Sequence, residues 1–163
     1  MQGEWQRTVG SQGYQPGQFE YPSGLALTPD EDFLLVVDNG NRRVAMLRAL
    51  DGAWVRQLTG PPGALQNPFG VAVVPSTGQV LVSDSRDRVI RFRSFDDDTV
   101  VGTLGTGYGS GPMEFKIPFG LAVLDVVHCP VVCVYFNWHP YLTLFFYCCD
   151  YFLGYFPICG FNM

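Results

Sequence analysis

Two carboxylate–guanidinium pairs recur in this chain, Asp38 with Arg43 and Asp84 with Arg88. A bidentate pair of this kind can fix a tight turn, and the same charges at the rim of a fold can meet a ligand. Recurrence in successive units favours the architectural role. Arg42 and Arg86, beside the pairs, are freer to face a partner, as are the connector tyrosines Tyr14 and Tyr108. Asp96-Asp97-Asp98 offers three carboxylates but lacks the alternating spacing and glycine of a calcium loop, so it reads as a solvated turn. His128, Cys129, Cys133, His139, Cys148 and Cys149 are zinc-type residues. They contain no Cys-x-x-Cys pair and sit among Val, Phe, Tyr and Leu, which gives no polar support to a metal. Residues 1–125 contain no histidine. No catalytic residue, metal or cofactor is expected.

The elements that must hold these residues follow from a repeated phrase. Pro22-Ser-Gly24-Leu-Ala-Leu, Pro68-Phe-Gly70-Val-Ala-Val and Pro118-Phe-Gly120-Leu-Ala-Val lie 46 and then 50 residues apart. In the first unit, strands are predicted over 24–28, 33–38, 43–48 and 54–58, with Asn39-Gly40 as a type I′ hairpin turn and Asp51-Gly52 as another. In the second they fall over 70–74, 79–84, 88–93 and 99–104. Gly24 to Asp38 and Gly70 to Asp84 are both 14 residues, so the units agree in spacing as well as in composition. The connector 13–22 aligns without gaps on 109–118, and its Phe19 and Phe115 are placed to plug between neighbouring units. Four short strands in a period of about 40–50 residues is the pattern of a β-propeller blade. The expected fold is all-β, an incomplete propeller with blades at about 10–59 and 60–105, the start of a third at 106–125, and a distinct tail at 126–163. The three inner strands carry no Asp, Glu, Asn or His, so a channel-lined active site has no ligands here.

Pro16-Gly-Gln-Phe19-x-x-Pro22-x-Gly24-Leu-Ala, followed by Val37-Asp38-Asn-Gly-Asn41-Arg-Arg43-Val44, resembles the NHL repeat. The likeness covers about 7–125. It weakens in the second unit, where Asp84-x-x-x-Arg88-Val89 reads one residue shorter and lacks the Asn, and it stops at Asp125. The resemblance implies a blade of a six-bladed propeller serving as an interaction platform. In that family such domains are the recognition part of tripartite-motif ubiquitin ligases, bind RNA in some members, and in one branch are zinc-using lyases.

Formal net charge is −5, with 10 basic and 15 acidic residues, which argues against a broad phosphate-binding face. The chain is therefore expected to be a non-catalytic scaffold for a protein partner. The alternatives are an RNA-binding propeller and a fragment of a propeller lyase or lactonase. Candidate contacts are Arg42, Arg43, Arg86, Arg88, Tyr14 and Tyr108. Pro22, Gly24, Asp38, Pro68, Gly70, Asp84, Pro118 and Gly120, with Arg43 and Arg88, are the structural positions of the repeat. Other blades or a second copy are needed to close a ring. The first residues show no secretory h-region, which favours a cytoplasmic setting for the repeats.

Beyond Val126 the composition changes. Residues 126–163 hold one charge, Asp150, with all five cysteines and both histidines. Residues 126–149 are long enough to cross a bilayer as a helix, although Pro130 and Pro140 weaken one. Three readings stand: an aberrant terminus, a membrane anchor, or further strands.

Overall fold

In the computed structural model, residues 7–60, 64–109, 114, 115, 117–126, 129–135 and 144–148 are described. They are all-β, with no helix among them. A short parallel pair, β1 (Ser11–Gln12) and β2 (Gln18–Phe19), precedes the repeats. The first sheet is β3 (Pro22–Leu27), β4 (Phe33–Asp38), β5 (Arg43–Arg48) and β6 (Trp54–Leu58), in chain order. The second repeats that order with β7 (Pro68–Val73), β8 (Val80–Asp84), β9 (Val89–Arg93) and β10 (Val100–Leu104). A third sheet has three strands, β11 (Gly120–Val126), β12 (Cys129–Tyr135) and β13 (Leu144–Cys148). Every pairing within these sheets is antiparallel. The succession is consistent with a β-propeller fragment.

Because side chains alternate across a strand, each sheet presents one row of apolar residues to either neighbour. Leu35, Val37, Val44, Met46 and Leu58 of the first sheet meet Val71, Val73, Val80 and Val82 of the second, in one buried cluster. The other face of the second sheet, Leu81, Ile90 and Leu104, packs with Phe115 and half-buried Leu121 and Val123. The connector plugs follow the expected logic. Phe115 is fully buried in the second cluster, and Leu65 holds the equivalent place in the first. Phe19 packs on Val36, Ala45 and Leu47 at the outer face of the first sheet.

The repeated glycines have a steric reason. A Cβ on Gly24 would lie 2.5 Å from the carbonyl oxygen of Phe69, and one on Gly70 would collide with that of Phe119. Successive inner strands approach backbone to backbone at this point. Hydroxyl bonds reinforce the contact: Ser23 Oγ donates to Phe69 O at 3.0 Å, and Ser83 Oγ to Phe119 O at 2.8 Å.

Neither expected type I′ turn forms. Asn39 and Gly40 both have negative φ, the left-handed residue of that turn being Arg42 at φ 53°; at Asp51-Gly52 only the glycine has positive φ, at 72°. Gly40 is required instead by proximity, since a Cβ there would come within 2.8 Å of Glu20 O. The third sheet differs from the first two in register. Leu25 pairs with Val36 and Val71 with Val82, eleven residues apart in each case, whereas Leu121 pairs with Val134, thirteen apart. The irregularity that interrupts the first hairpin of sheets one and two is also missing from the third. The change of composition after Asp125 thus coincides with a change of register. Part of the tail, Cys129–Tyr135 and Leu144–Cys148, is strand, and no helix among the described residues is long and apolar enough to cross a membrane.

Candidate functional site

The turns that close β4–β5 and β8–β9 lie side by side at one end of the stacked sheets. Asn39 Nδ2 bridges them, donating to Asn67 Oδ1 at 2.8 Å and to Pro68 O at 2.6 Å, while Asn67 Nδ2 reaches Ser85 Oγ at 2.8 Å. Below each turn is a fully buried carboxylate. Asp38 accepts the Glu20 amide at 2.7 Å, and Asp84, 46 residues on, accepts the Gln66 amide at 2.6 Å. In each unit the strand-end Asp therefore ties down the connector that enters its own sheet. Asp84 also accepts the amides of Asn67, Arg86 and Asp87.

The counter-charge differs between units. Arg43 bonds Asp38 at 2.8 Å, buried on both sides. Its other donors reach Tyr14 O, Gln57 Oε1, Gln15 O and Gln18 O, and its guanidinium lies 4.9 Å from the centre of the Trp54 ring. All five guanidinium N–H groups are thus engaged inside the chain, so Arg43 is a latch and is withdrawn from the candidate contacts. The expected partner of Asp84, Arg88, does not reach it. Register makes Val89 the equivalent of Arg43, since Asp38 pairs with Arg43 and Asp84 with Val89. Arg88 matches Arg42 instead, in the same left-handed conformation at φ 58°. The loop is not one residue shorter; the arginine is displaced by one. Asp84 is met by Arg91 at 3.6 Å, two residues up the same face of β9, and Arg91 also bonds Asp87 at 2.5 Å.

What remains at this end is an exposed set: Arg42, Arg86, Arg88, Tyr14 and Tyr108. None of the three arginines takes part in an ion pair among the described residues. Arg88 lies 4.8 Å from the centre of the Tyr108 ring, a cation–π contact that holds the guanidinium outward. Such a surface can donate hydrogen bonds to carboxylates or phosphates and can stack on planar groups. Next to it the starts of the inner strands enclose a groove of about 300 Å³, lined by Ser23, Leu25, Phe69, Val71 and Phe119 among others. There Phe69 and Phe119 meet edge to face at 4.4 Å.

The acidic run has a structural occupation that the sequence did not reveal. Asp98 bonds fully buried Arg93 at 2.6 Å and accepts the amides of Thr59 and Gly60, so it pins the connector between the sheets. The Ser94 hydroxyl, then the Thr99 amide and hydroxyl, hold the exposed Asp97 carboxyl below its ordinary value. Asp30 is lowered likewise by the Thr28 hydroxyl and the Asp32 amide. No cluster of three or more His, Cys, Asp or Glu is arranged to hold a metal among the described residues. Of the six zinc-type residues of the tail, His128, His139 and Cys149 lie outside the described residues.

No protein-family model matches the chain, and no curated protein sequence matches it. Solved structures do. One is the hydrazine synthase of Kuenenia stuttgartiensis, 17% identical, with a TM-score of 0.55 over 77% of this chain and 33% of that one. The chain thus spans about a third of that chain, and at this identity the likeness concerns the fold alone.

Proposed function

We propose that residues 7–125 are NHL-type propeller blades and that the chain is a non-catalytic scaffold binding a protein partner at the end that bears Arg42, Arg86 and Arg88. The observation that carries this reading is a division of labour. The repeat-defining Asp38, Asp84, Gly24 and Gly70 are consumed in latching and stacking, as is Arg43, while three guanidiniums at the same end stay exposed and, among the described residues, outside any ion pair. Loops held by a rigid sheet are where binding specificity resides. The partner this end fits is an acidic segment carrying an apolar side chain for the Phe69–Phe119 groove. A role as the recognition part of a ubiquitin ligase rests on the resemblance to the NHL repeat.

The test is a pulldown with the triple variant Arg42→Ala, Arg86→Ala, Arg88→Ala. Retention of the partner should fall about tenfold, since exposed charge pairs each contribute under about 1 kcal/mol. Unchanged retention would dismiss this surface. If the captured species is RNA, retention should fall steeply with salt, and the protein-partner reading then fails.

A further inference from the structure

The turn between β4 and β5 contains Asn39-Gly40, a step that is chemically fragile. Hydroxide takes the proton of the glycine amide, and the nitrogen attacks the asparagine side chain. A C–N bond to Cγ forms, the Cγ–Nδ2 bond breaks and ammonia leaves. Water then opens the resulting succinimide to aspartate or isoaspartate. Glycine in the second position speeds the attack, because no Cβ shields the nucleophile. The other asparagines among the described residues are poorer candidates: Asn67 precedes Pro68, which has no N–H, and Asn41 precedes the bulky Arg42. In the second unit Ser85 follows Asp84 as Asn39 follows Asp38, so the labile step has no counterpart there. Packing imposes it on the first unit, since a Cβ at Gly40 would lie 2.8 Å from Glu20 O.

In the folded chain both reacting groups are engaged, and with different partners. The Gly40 N–H donates to Glu20 O at 2.8 Å, which keeps the proton on the nucleophile. Asn39 Nδ2, the leaving group, donates to Asn67 Oδ1 at 2.8 Å and to Pro68 O at 2.6 Å. The first bond ties the turn to the connector of its own sheet; the other two tie it to the start of the second sheet. Asn39 is half-buried and Gly40 exposed, so water and hydroxide reach the step once these bonds open.

We propose that Asn39 is a modification site, a deamidation step held in check by the contact between the turns of the first and second sheets. While Asn67 and Pro68 hold Nδ2, the amide persists. When the turns part, the Gly40 nitrogen closes on Cγ and the amide is lost. The product cannot re-form the contact, because a carboxylate at position 39 offers no donor to Asn67 Oδ1 or Pro68 O, both acceptors. A passing separation of the two turns is thereby recorded as a permanent negative charge. This inference needs no partner at the arginine-bearing end and stands separately from that reading.

Peptide mapping by mass spectrometry tests it, following loss of the Asn39 amide in the full chain at mildly alkaline pH, folded and in urea. Unfolded wild type should lose the amide at least about tenfold faster than folded wild type, since three hydrogen bonds no longer restrain it. Folded Asn67→Ala, which lacks the Oδ1 acceptor, should lose it about fivefold faster than folded wild type. Equal rates for folded and unfolded wild type overturn the proposal, as does an Asn39 amide that persists even in urea. A folded Asn67→Ala that keeps its circular dichroism and reacts at the wild-type rate also overturns it. Should Asn67→Ala lose its dichroism, Asn67→Ser is compared, and the same outcomes decide. Asn39→Asp stands for the product and should speed hydrogen exchange of the Ser85 amide, which donates to Asn67 O at 3.0 Å. Unchanged exchange there overturns the lasting consequence.

Discussion

At the scale of single residues, the arginines divide by burial rather than by their place in the sequence. Arg43 is 5% exposed and satisfies a buried carboxylate, whereas its neighbour Arg42 faces solvent. Removing one member of a buried ion pair strands the other, at a cost of about 3–5 kcal/mol. Arg43→Ala should lower stability by that order in chemical denaturation, while Arg42→Ala should change it by less than about 0.5 kcal/mol. A second residue-scale prediction concerns protons. The Thr28 hydroxyl is the chief cause of the lowered Asp30 carboxyl. Thr28→Val should move Asp30 up towards the ordinary value of about 3.9, read from carboxyl carbon shifts in a titration followed by nuclear magnetic resonance. Since the folded value is depressed, what Asp30 adds to stability is fully present above about pH 4 and is lost as pH falls through the lowered value. The sequence displayed Asp38 and Asp84 plainly, because strand spacing fixes them. It misassigned Arg88, because a long side chain can answer a carboxylate from more than one position on a strand. In the second unit Arg91 does so from two residues beyond the expected place.

At the scale of elements, eight strands were legible from turn residues and β-branched runs, with ends displaced by at most two residues. The tight pairing of inner strands was not legible, since nothing in a Gly-Leu-Ala phrase says that a neighbouring carbonyl sits against the glycine. Gly70→Ala tests that reading. Its methyl group meets Phe119 O, a backbone atom that cannot swing aside. The substitution should cost about 1–3 kcal/mol. Gly78→Ala makes a useful contrast, because a Cβ there meets nothing within 4 Å and only the φ of 68° opposes it. Gly70→Ala should also speed amide exchange in β11, which leans on β7, while Gly78→Ala should leave β11 unchanged. Strands β12 and β13 fall under one of three readings left open for the tail, because their continuous apolar composition carries no alternation to mark a face.

For the molecule as a whole, stacking makes stability a matter of neighbours. The second sheet buries one face on the first sheet and the other against β11 of the third, so folding energy is shared between units rather than held in one core. The arginine-bearing end, at the turns, can change without disturbing the stack. Charge had argued against nucleic acid from the total alone. The structure adds distribution, with Arg42, Arg86 and Arg88 gathered on adjacent turns and connected by the Asn39–Asn67–Ser85 bridge.

The latch between a connector amide and the strand-end Asp of its own sheet also bears on how the chain would respond to tension. Glu20 is tied to Asp38 and Gln66 to Asp84, so each loop is closed within its unit. Pulled from its two ends, the chain would yield one latch at a time. Each event would release the stretch its latch closes, 18 residues in either unit, roughly 60 Å of extended backbone at ~3.3 Å per residue. Two latches of equal span would give steps of equal length.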